Sequence, residues 1–244
     1  MKPYLQNLLQ RLAKDSYRPG ELKVDGVFEN VKTFSWQAHE EVRTLADETL
    51  LPDLYAYIES SASEEERRHA CFVVGFIAKN TNNEEAASFL LNRLKKEKQT
   101  FTLITLLDRL AELYKPETFD LSTIYHLIDK KGALIRKAAF LALTNTGHKV
   151  ETYLLEKLSG ATSVDDIAGI VKALEYVGTE KAVIAIKPLL KSRKLDIKFA
   201  AQNYLPAIMV RAGFPITEIC RTTKVSTNFV NERATRILEF TRPG

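Results

Sequence analysis

A helical segment of thirteen residues recurs along the chain, and this repetition limits the possible folds more than any other feature. The clearest copy, residues 135–147, begins with Ile-Arg, carries alanines in its middle and ends with Gly. Further copies begin at residues 66, 102, 166 and 197, so successive starts are 31 to 36 residues apart. Apolar residues recur within each copy at three- and four-residue steps, as on one buried face of a helix. A period of this length predicts a stack of helical units.

Each copy follows a shorter apolar segment that predicts a partner helix, at residues 51–58, 84–94, 121–128, 150–158 and 181–190. The joints carry N-cap candidates, namely Ser63, Asn82, Asp120, Ser163 and Thr179. Gly147 and Gly178 are candidates for the left-handed residue that ends a helix. One helix pair cannot bury its apolar face alone, so we expect the pairs to share one continuous core. Before them, residues 4–13 and 36–48 predict two cap helices, and residues 22–34 predict a loop followed by a short helix.

The best copy resembles the second helix of the HEAT repeat, whose pattern is V-R-x-x-A-A-x-A-L-G-x-I-G. The copy at residue 102 lacks both the Arg and the Gly of that pattern. The resemblance covers roughly residues 50–210. It implies an all-α, right-handed α–α superhelix of the HEAT/armadillo type, with about five helical-hairpin repeats. The chain would then be a single domain with a cap at 1–50, repeats at 51–210 and a basic helical cap at 211–244. Scaffolds of this kind host many functions.

The register of the copies predicts which side chains line the concave surface of such a stack. These candidates for protein or peptide binding are Arg67, Arg68, Phe72, Asp108, Arg136, Lys137, Leu141, Lys172, Lys198 and Asn203. For Arg67 and Arg136 the alternative is an ion pair with an acidic residue of a neighbouring repeat. For Phe72 and Leu141 the alternative is burial. Because no catalytic constellation is visible, our leading hypothesis is a non-enzymatic scaffold for a protein or peptide partner.

Positive charge is concentrated in the last quarter of the chain. Residues 181–244 carry twelve Lys or Arg against four Asp or Glu, whereas the remaining residues have a net charge of −4. Clustered positive charge attracts polyanions, so nucleic-acid binding is the competing hypothesis. A solvated repeat face with a basic tail would give the same composition.

A motif in the same region supports that alternative. Residues 219–230 resemble the helix-turn-helix of lac-repressor-like DNA-binding domains, with Val225-Ser226 and Phe229-Val230 in matching places and Lys224 where a Gly is usual. The resemblance implies that the second helix enters the major groove. A terminal helix pair that caps the repeats would produce a similar pattern. The nucleic-acid candidates are Lys191, Arg193, Lys194, Arg221, Lys224, Thr227, Asn228, Asn231, Arg233 and Arg236.

Other classes of function have little support. His39, His69, His126 and His148 have no Cys or His partner at zinc-ligand spacing, so we expect no metal and no cofactor. A HEAT-like DNA glycosylase would need an Asp among aromatic and Arg residues, and Asp108 beside Arg109 is its one candidate. Cys71 and Cys220 predict free thiols in a reducing cytoplasm. No apolar run is long enough to predict a membrane span.

Overall fold

The computed structural model describes residues 1–14, 23–24, 27–28, 34–61, 63–130, 132–147 and 149–240. This part of the chain contains fourteen α-helices and one pair of two-residue strands. The chain divides into two compact units, residues 1–113 and 114–244, which we call unit 1 and unit 2. In the described residues, no helix is both long and apolar enough to cross a membrane.

The described residues of unit 1 form six helices and the strand pair. The helices are α1 (Pro3–Ala13), α2 (Phe34–Arg43), α3 (Leu51–Ser60), α4 (Glu64–Thr81), α5 (Glu84–Lys96) and α6 (Thr100–Glu112). A 3₁₀ turn, Glu48–Leu50, precedes α3. Helix α4 is the centre of this unit, since it packs against α1, α2, α3, α5 and α6. Its buried residues, with leucines such as Leu54, Leu90 and Leu106 from the surrounding helices, form the core.

The strand pair corrects the first part of the prediction for residues 22–34, where a loop was expected, and the short helix predicted after that loop lies outside the described residues. Strands β1 (Lys23–Val24) and β2 (Val27–Phe28) pair in antiparallel fashion, with Val24 opposite Val27. An Asp-Gly dipeptide stands between them in the sequence. Strands of two residues are too short to show an alternating apolar pattern, so the sequence did not predict them.

Unit 2 contains eight helices. They are α7 (Ser122–Lys130), α8 (Ala133–Ala142), α9 (Glu151–Gly160), α10 (Val164–Val177), α11 (Glu180–Ile186), α12 (Leu195–Arg211), α13 (Ile216–Thr223) and α14 (Thr227–Phe240). A 3₁₀ turn, Lys187–Lys191, extends α11. The longer helices α8, α10 and α12 pack in succession, and α7, α9 and α11 each pack on one of them. Helices α13 and α14 pack against α12 and against each other.

Within the described residues, each segment predicted to be a repeat helix or its partner contains a helix. The five repeat copies were predicted to begin at residues 66, 102, 135, 166 and 197, and helices α4, α6, α8, α10 and α12 begin two residues before those positions. The constant difference arises because the apolar pattern starts one half-turn after the first helical residue. The all-α class is therefore confirmed at the level of secondary structure.

Helix ends follow the capping prediction in part. The hydroxyls of Ser63, Ser163 and Thr179 accept from backbone amides at the starts of α4, α10 and α11, as predicted. Asp120 likewise accepts from the amide of Ser122 at 3.0 Å. The prediction for Asn82 was wrong, because this residue ends α4 at φ 52° and Asn83 caps α5 instead.

The two glycines predicted to end helices do not adopt the left-handed conformation. After α8 that role falls to Asn145, with φ 49°. Gly178 has φ −72° and is required for space, because a Cβ there would lie 2.6 Å from the carbonyl oxygen of Leu174 and 2.8 Å from Cβ of Ala182.

Candidate binding groove

Two arginines predicted to line a binding surface are engaged in internal ion pairs. Arg67 is 8% exposed, and its Nε lies 3.1 Å from Oε2 of Glu97. Arg136 is half-buried, and its Nε lies 2.9 Å from Oδ1 of Asp166. In each pair the acid lies 30 positions after the arginine. These contacts agree with the ion-pair alternative, and they place Arg67 in the interior and not on a solvent-facing surface.

Unit 1 carries a groove beside α4 and α6, which we call the aromatic groove. It has a volume of about 420 Å³ and is lined by His39, Arg43, Phe72, Phe76, Lys79, Arg109 and Glu112. A second cavity of about 300 Å³ shares His39 and Phe72 with it and adds Lys14, Glu65, Arg68, His69 and Thr105. Of the predicted concave residues, Arg68 and Phe72 therefore line this region. Asp108 is exposed on α6 and lines neither cavity.

Three rings make the floor of the aromatic groove. Phe72 makes edge contacts with His39 at 5.0 Å and with Phe76 at 4.9 Å, measured between ring centroids. Phe72 and Phe76 stand one turn apart on α4, so their rings lie on the same side of that helix. His39 comes from α2, where its Nδ1 lies 2.7 Å from the carbonyl oxygen of Ser35. The floor therefore joins elements from the predicted cap and the first predicted repeat.

Arg109 lies over this floor. Its guanidinium carbon is 4.4 Å from the Phe76 centroid and 5.3 Å from that of Phe72. Cation–π contacts of this kind contribute about 1 kcal/mol or more when they are shielded from water. Its Nη2 lies 2.9 Å from Oε1 of Glu112, while its buried Nε and Nη1 have no hydrogen-bond partner among the described residues.

Gly75 makes room for this arginine. A Cβ at position 75 would lie 2.6 Å from Cβ and Cδ of Arg109, so the arginine stem packs directly on the backbone of α4. The glycine in the middle of α4 has a cost in helix propensity, about 1 kcal/mol relative to Ala. That cost is offset by the packing of Arg109 against the helix. The sequence signal for this contact is the glycine within a predicted helix, which indicates a close approach by another part of the chain.

Cations outnumber acids around the groove. The two cavities are lined by five Lys or Arg side chains and by two acids, Glu65 and Glu112. The carboxylate of Glu112 is shared, since Lys79 lies 2.7 Å from its other oxygen. Arg68 lies 3.9 Å from Glu65, a separation that is long for a hydrogen bond. The surface of the groove is therefore positively charged as well as aromatic.

His69 stays neutral at physiological pH. Burial, followed by the nearby charges of Arg68 and His39, lowers its pKa to about 4. Its ring therefore adds polarity to the second cavity but no positive charge. The positive charge around the groove therefore comes from Lys and Arg side chains.

The remaining predicted concave residues lie in unit 2. Lys137 is exposed, and Leu141, Lys172, Lys198 and Asn203 are half-buried. These residues stay predictions for partner binding.

The C-terminal helix pair has the geometry of a helix, a three-residue turn and a second helix. Lys224 ends α13 with φ 62°, the conformation that the helix-turn-helix resemblance assigns to this place. Thr227, Asn228 and Asn231 are exposed on α14. Arg233 faces inward, because its Nη1 lies 3.2 Å from Oε1 of Glu175, a residue that is 1% exposed.

Arg233 therefore holds α14 against the rest of unit 2, and its guanidinium group is not exposed for contact with DNA. Its guanidinium carbon also lies 5.3 Å from the ring centroids of Tyr204 and Phe229. Of the other nucleic-acid candidates, Lys191, Arg193, Lys194, Arg221 and Lys224 are all exposed. The side chain of Arg236 lies outside the described residues.

Lys115 is a group that the sequence did not predict. Its side chain is completely buried in unit 2, and desolvation lowers its pKa to about 7. Its backbone pairs with the loop after α8, since its amide donates to Asn145 and its carbonyl accepts from Gly147. Both cysteines are free, with Cys71 buried and Cys220 half-buried. The described residues contain no group of three or more His, Cys, Asp or Glu placed to hold a metal ion.

Comparison with known proteins gives no further assignment. No family model matches the chain, and no curated protein matches its sequence.

Proposed function

We propose that the protein is a HEAT-like repeat module that binds an acidic peptide segment of a partner protein in the aromatic groove of unit 1. The proposal rests on the guanidinium group of Arg109, which lies over the aromatic rings of Phe72 and Phe76 in this groove. Grooves that recognise peptides combine apolar anchor surfaces with a small number of placed charges.

Charge complementarity favours an acidic partner. Arg68 and Lys79 are both accessible, and their internal acidic neighbours are either distant or shared with another cation. A carboxylate or phosphate group on the partner would accept hydrogen bonds from these side chains. Phe72, which is half-buried, offers the adjacent apolar surface for an aromatic or aliphatic side chain of the same segment.

The repeat assignment rests on the packing within each unit. Helix α4 packs on α6, and α8, α10 and α12 pack in succession. The Arg67–Glu97 and Arg136–Asp166 pairs recur with the same 30-residue separation. One right-handed superhelix of about five repeats stays a prediction, as does a single domain.

A peptide selection tests the proposed function. Phage-displayed random 12-residue peptides are selected on the full chain, and the binders are synthesised and measured by fluorescence polarisation. We expect enriched sequences to place two or more Asp or Glu next to an aromatic residue. The double variant Arg68→Glu/Lys79→Glu should weaken their binding by about tenfold, because each accessible ion pair contributes up to about 1 kcal/mol.

The matched control is Lys181→Glu, which makes the same kind of charge change at an exposed lysine in unit 2. Circular dichroism of each variant establishes that the helices are retained. Binders that lack acidic residues, or equal affinity for the wild-type protein and the double variant, would contradict the proposal.

A further inference from the structure

A second charged surface lies in unit 2, at the start of α12. The segment from residue 187 to 199 carries one acid, Asp196, and five basic residues, Lys187, Lys191, Arg193, Lys194 and Lys198. None of these five forms an ion pair within the described part of the chain. Lys187, Lys191, Arg193 and Lys194 are exposed. The positive charge of this segment is therefore not neutralised by ion pairs with the described residues of its own unit.

Further cations come from the end of α13. The side-chain amide of Gln202, on α12, donates to the carbonyl oxygen of Thr223 at 3.5 Å. This contact places the last turn of α13 beside α12, and Arg221 and Lys224 flank Thr223 in the sequence. Both are exposed and without an ion pair in the described residues. We call the two segments together the basic end of unit 2.

An exposed aromatic ring stands among these cations. Phe199 is 67% exposed, and Leu195, one turn earlier on α12, is 78% exposed. Phe199 and Gln202 are three residues apart, so they share a side of α12. Phe199 therefore directly follows the last cation of the basic segment in the sequence and lies within one turn of Gln202, the residue of α12 that contacts the end of α13. Exposure of a large apolar ring to water is energetically unfavourable, and a partner that covers the ring removes this cost.

We propose that the basic end of unit 2 binds single-stranded nucleic acid, with phosphates held by the cations and one base stacked on Phe199. A charged surface that follows the backbone and an aromatic ring that stacks bases are the two elements of single-strand recognition. Bases in a duplex are already stacked, so a duplex would use the cations but not the ring. This inference concerns unit 2 and is independent of the peptide groove.

The internal role of Arg233 argues against the duplex alternative. A helix-turn-helix would present α14 to the major groove, with its basic side chains available to DNA. Arg233 is instead held by Glu175 inside the unit. The exposed cations lie before α12 and at the end of α13, whereas the described exposed residues at the start of α14 are Thr227 and Asn228.

The test is a polarisation titration of the full chain with fluorescein-labelled 12-nucleotide probes, oligo-dT and oligo-U, at two salt concentrations. We expect binding that weakens as salt rises, with a slope of about 0.7 per phosphate contacted. Phe199→Ala and Phe199→Leu should each weaken binding by about tenfold, whereas Phe199→Trp should retain it, because only a ring can stack on a base. Lys194→Glu/Lys198→Glu should reduce both the affinity and the salt slope, and Lys149→Glu, an exposed lysine elsewhere in unit 2, serves as the control.

Several results would overturn the inference. Absence of single-strand binding at low salt is the first, and equal binding by wild type and Phe199→Ala is the second. Duplex binding that matches single-strand binding would assign the surface to double-stranded DNA. Binding to phosphatidylserine vesicles that Phe199→Leu retains would assign it to an anionic lipid surface instead. Since residue 199 is exposed, these variants leave the core intact, and circular dichroism checks this.

Discussion

The carboxylate of Glu97 joins several parts of unit 1, and its replacement by glutamine should destabilise that unit strongly. Its side chain is 2% exposed. It accepts from Nε of Arg67 at 3.1 Å and from Nη2 of Arg93 at 3.0 Å. It also accepts from the backbone amides of Lys98 and Gln99 just before α6, each at 3.0 Å. One carboxylate therefore ties α4, α5 and the start of α6 together.

The pKa of Glu97 indicates how much its contacts contribute to the folding free energy. Burial raises the pKa, but hydrogen bonds from Arg67, from the backbone and from Arg93 outweigh it and hold the pKa at about 2, against an ordinary 4.5. That difference corresponds to about 3 kcal/mol of folding free energy. Because the pKa is depressed in the folded state, this contribution is present above pH 4.5 and is lost as the pH falls toward 2.

The Glu97→Gln variant removes the charge and leaves two arginines without their buried partner. We expect the free energy of unfolding of unit 1 at pH 7 to fall by about 3 kcal/mol, within the range for a broken buried ion pair. Urea titration followed by the fluorescence of Trp36 reports on this unit, because Trp36 is the single tryptophan of the chain and lies in α2.

The control is Glu84→Gln, the same substitution at an exposed position in the first turn of α5. We expect it to change the free energy of unfolding by less than about 1 kcal/mol. The pH dependence supplies a second check, since the difference between wild type and Glu97→Gln should shrink between pH 5 and pH 2. A loss at pH 7 no larger than that of Glu84→Gln would refute this account of the carboxylate.

Three further predictions follow from buried contacts, all measured by urea titration. Gly75→Ala should destabilise unit 1 by about 2 kcal/mol, because a Cβ would displace the stem of Arg109, whereas Gly160→Ala, with open space around it, should be neutral or stabilising. Arg233→Ala should destabilise unit 2 by roughly 3 kcal/mol, because it removes the ion pair between Arg233 and the buried carboxylate of Glu175, and Glu175→Gln in the same chain should recover part of the loss. The pKa of Lys115 is about 7 in the folded state and ordinarily 10.5, so the unfolded chain binds more protons between these values and stability should rise with pH by up to about 1.4 kcal/mol per pH unit from pH 7 to 9. Lys115→Met should abolish that rise, and a variant with the same rise as wild type would contradict it.

The helix positions could be predicted from the sequence because they depend on local patterns. The three- and four-residue apolar steps identified the second helix of each of the five repeat copies. Ser63, Ser163 and Thr179 correctly marked the starts of three helices. The strand pair at residues 23–28 was missed, because two-residue strands are too short to show an alternating pattern.

The groove could be predicted only in part. Phe72 of the groove and Arg68 of the adjoining cavity were found because the copy at residue 66 fits the repeat pattern. Arg109 was missed as a groove residue because its copy lacks the Arg and Gly that fix the register. His39 comes from a helix outside the repeats, and its contact with Phe72 depends on how α2 packs against α4.

Charge was the least predictable property, because a count of arginines does not show which of them are paired. The register of the copies predicted Arg67 and Arg136 on the concave surface, with an internal ion pair as the alternative, and Arg233 was a nucleic-acid candidate. Each of the three forms an ion pair inside its own unit. The acids that neutralise them lie 30 to 58 positions away in the sequence. Only the packing of helices brings such residues together.

Hydrogen exchange followed by mass spectrometry, on the full chain with and without a selected acidic peptide, tests the binding groove most directly. The account predicts slower exchange on binding in α4 around Phe72 and Phe76 and in α6 around Arg109, with no change in α12. At equal peptide concentration, the peptide should slow exchange in these segments less in Arg68→Glu/Lys79→Glu than in the wild-type protein. Protection confined to unit 2, or a bound peptide that protects neither α4 nor α6, would contradict the claim that the aromatic groove is the partner site.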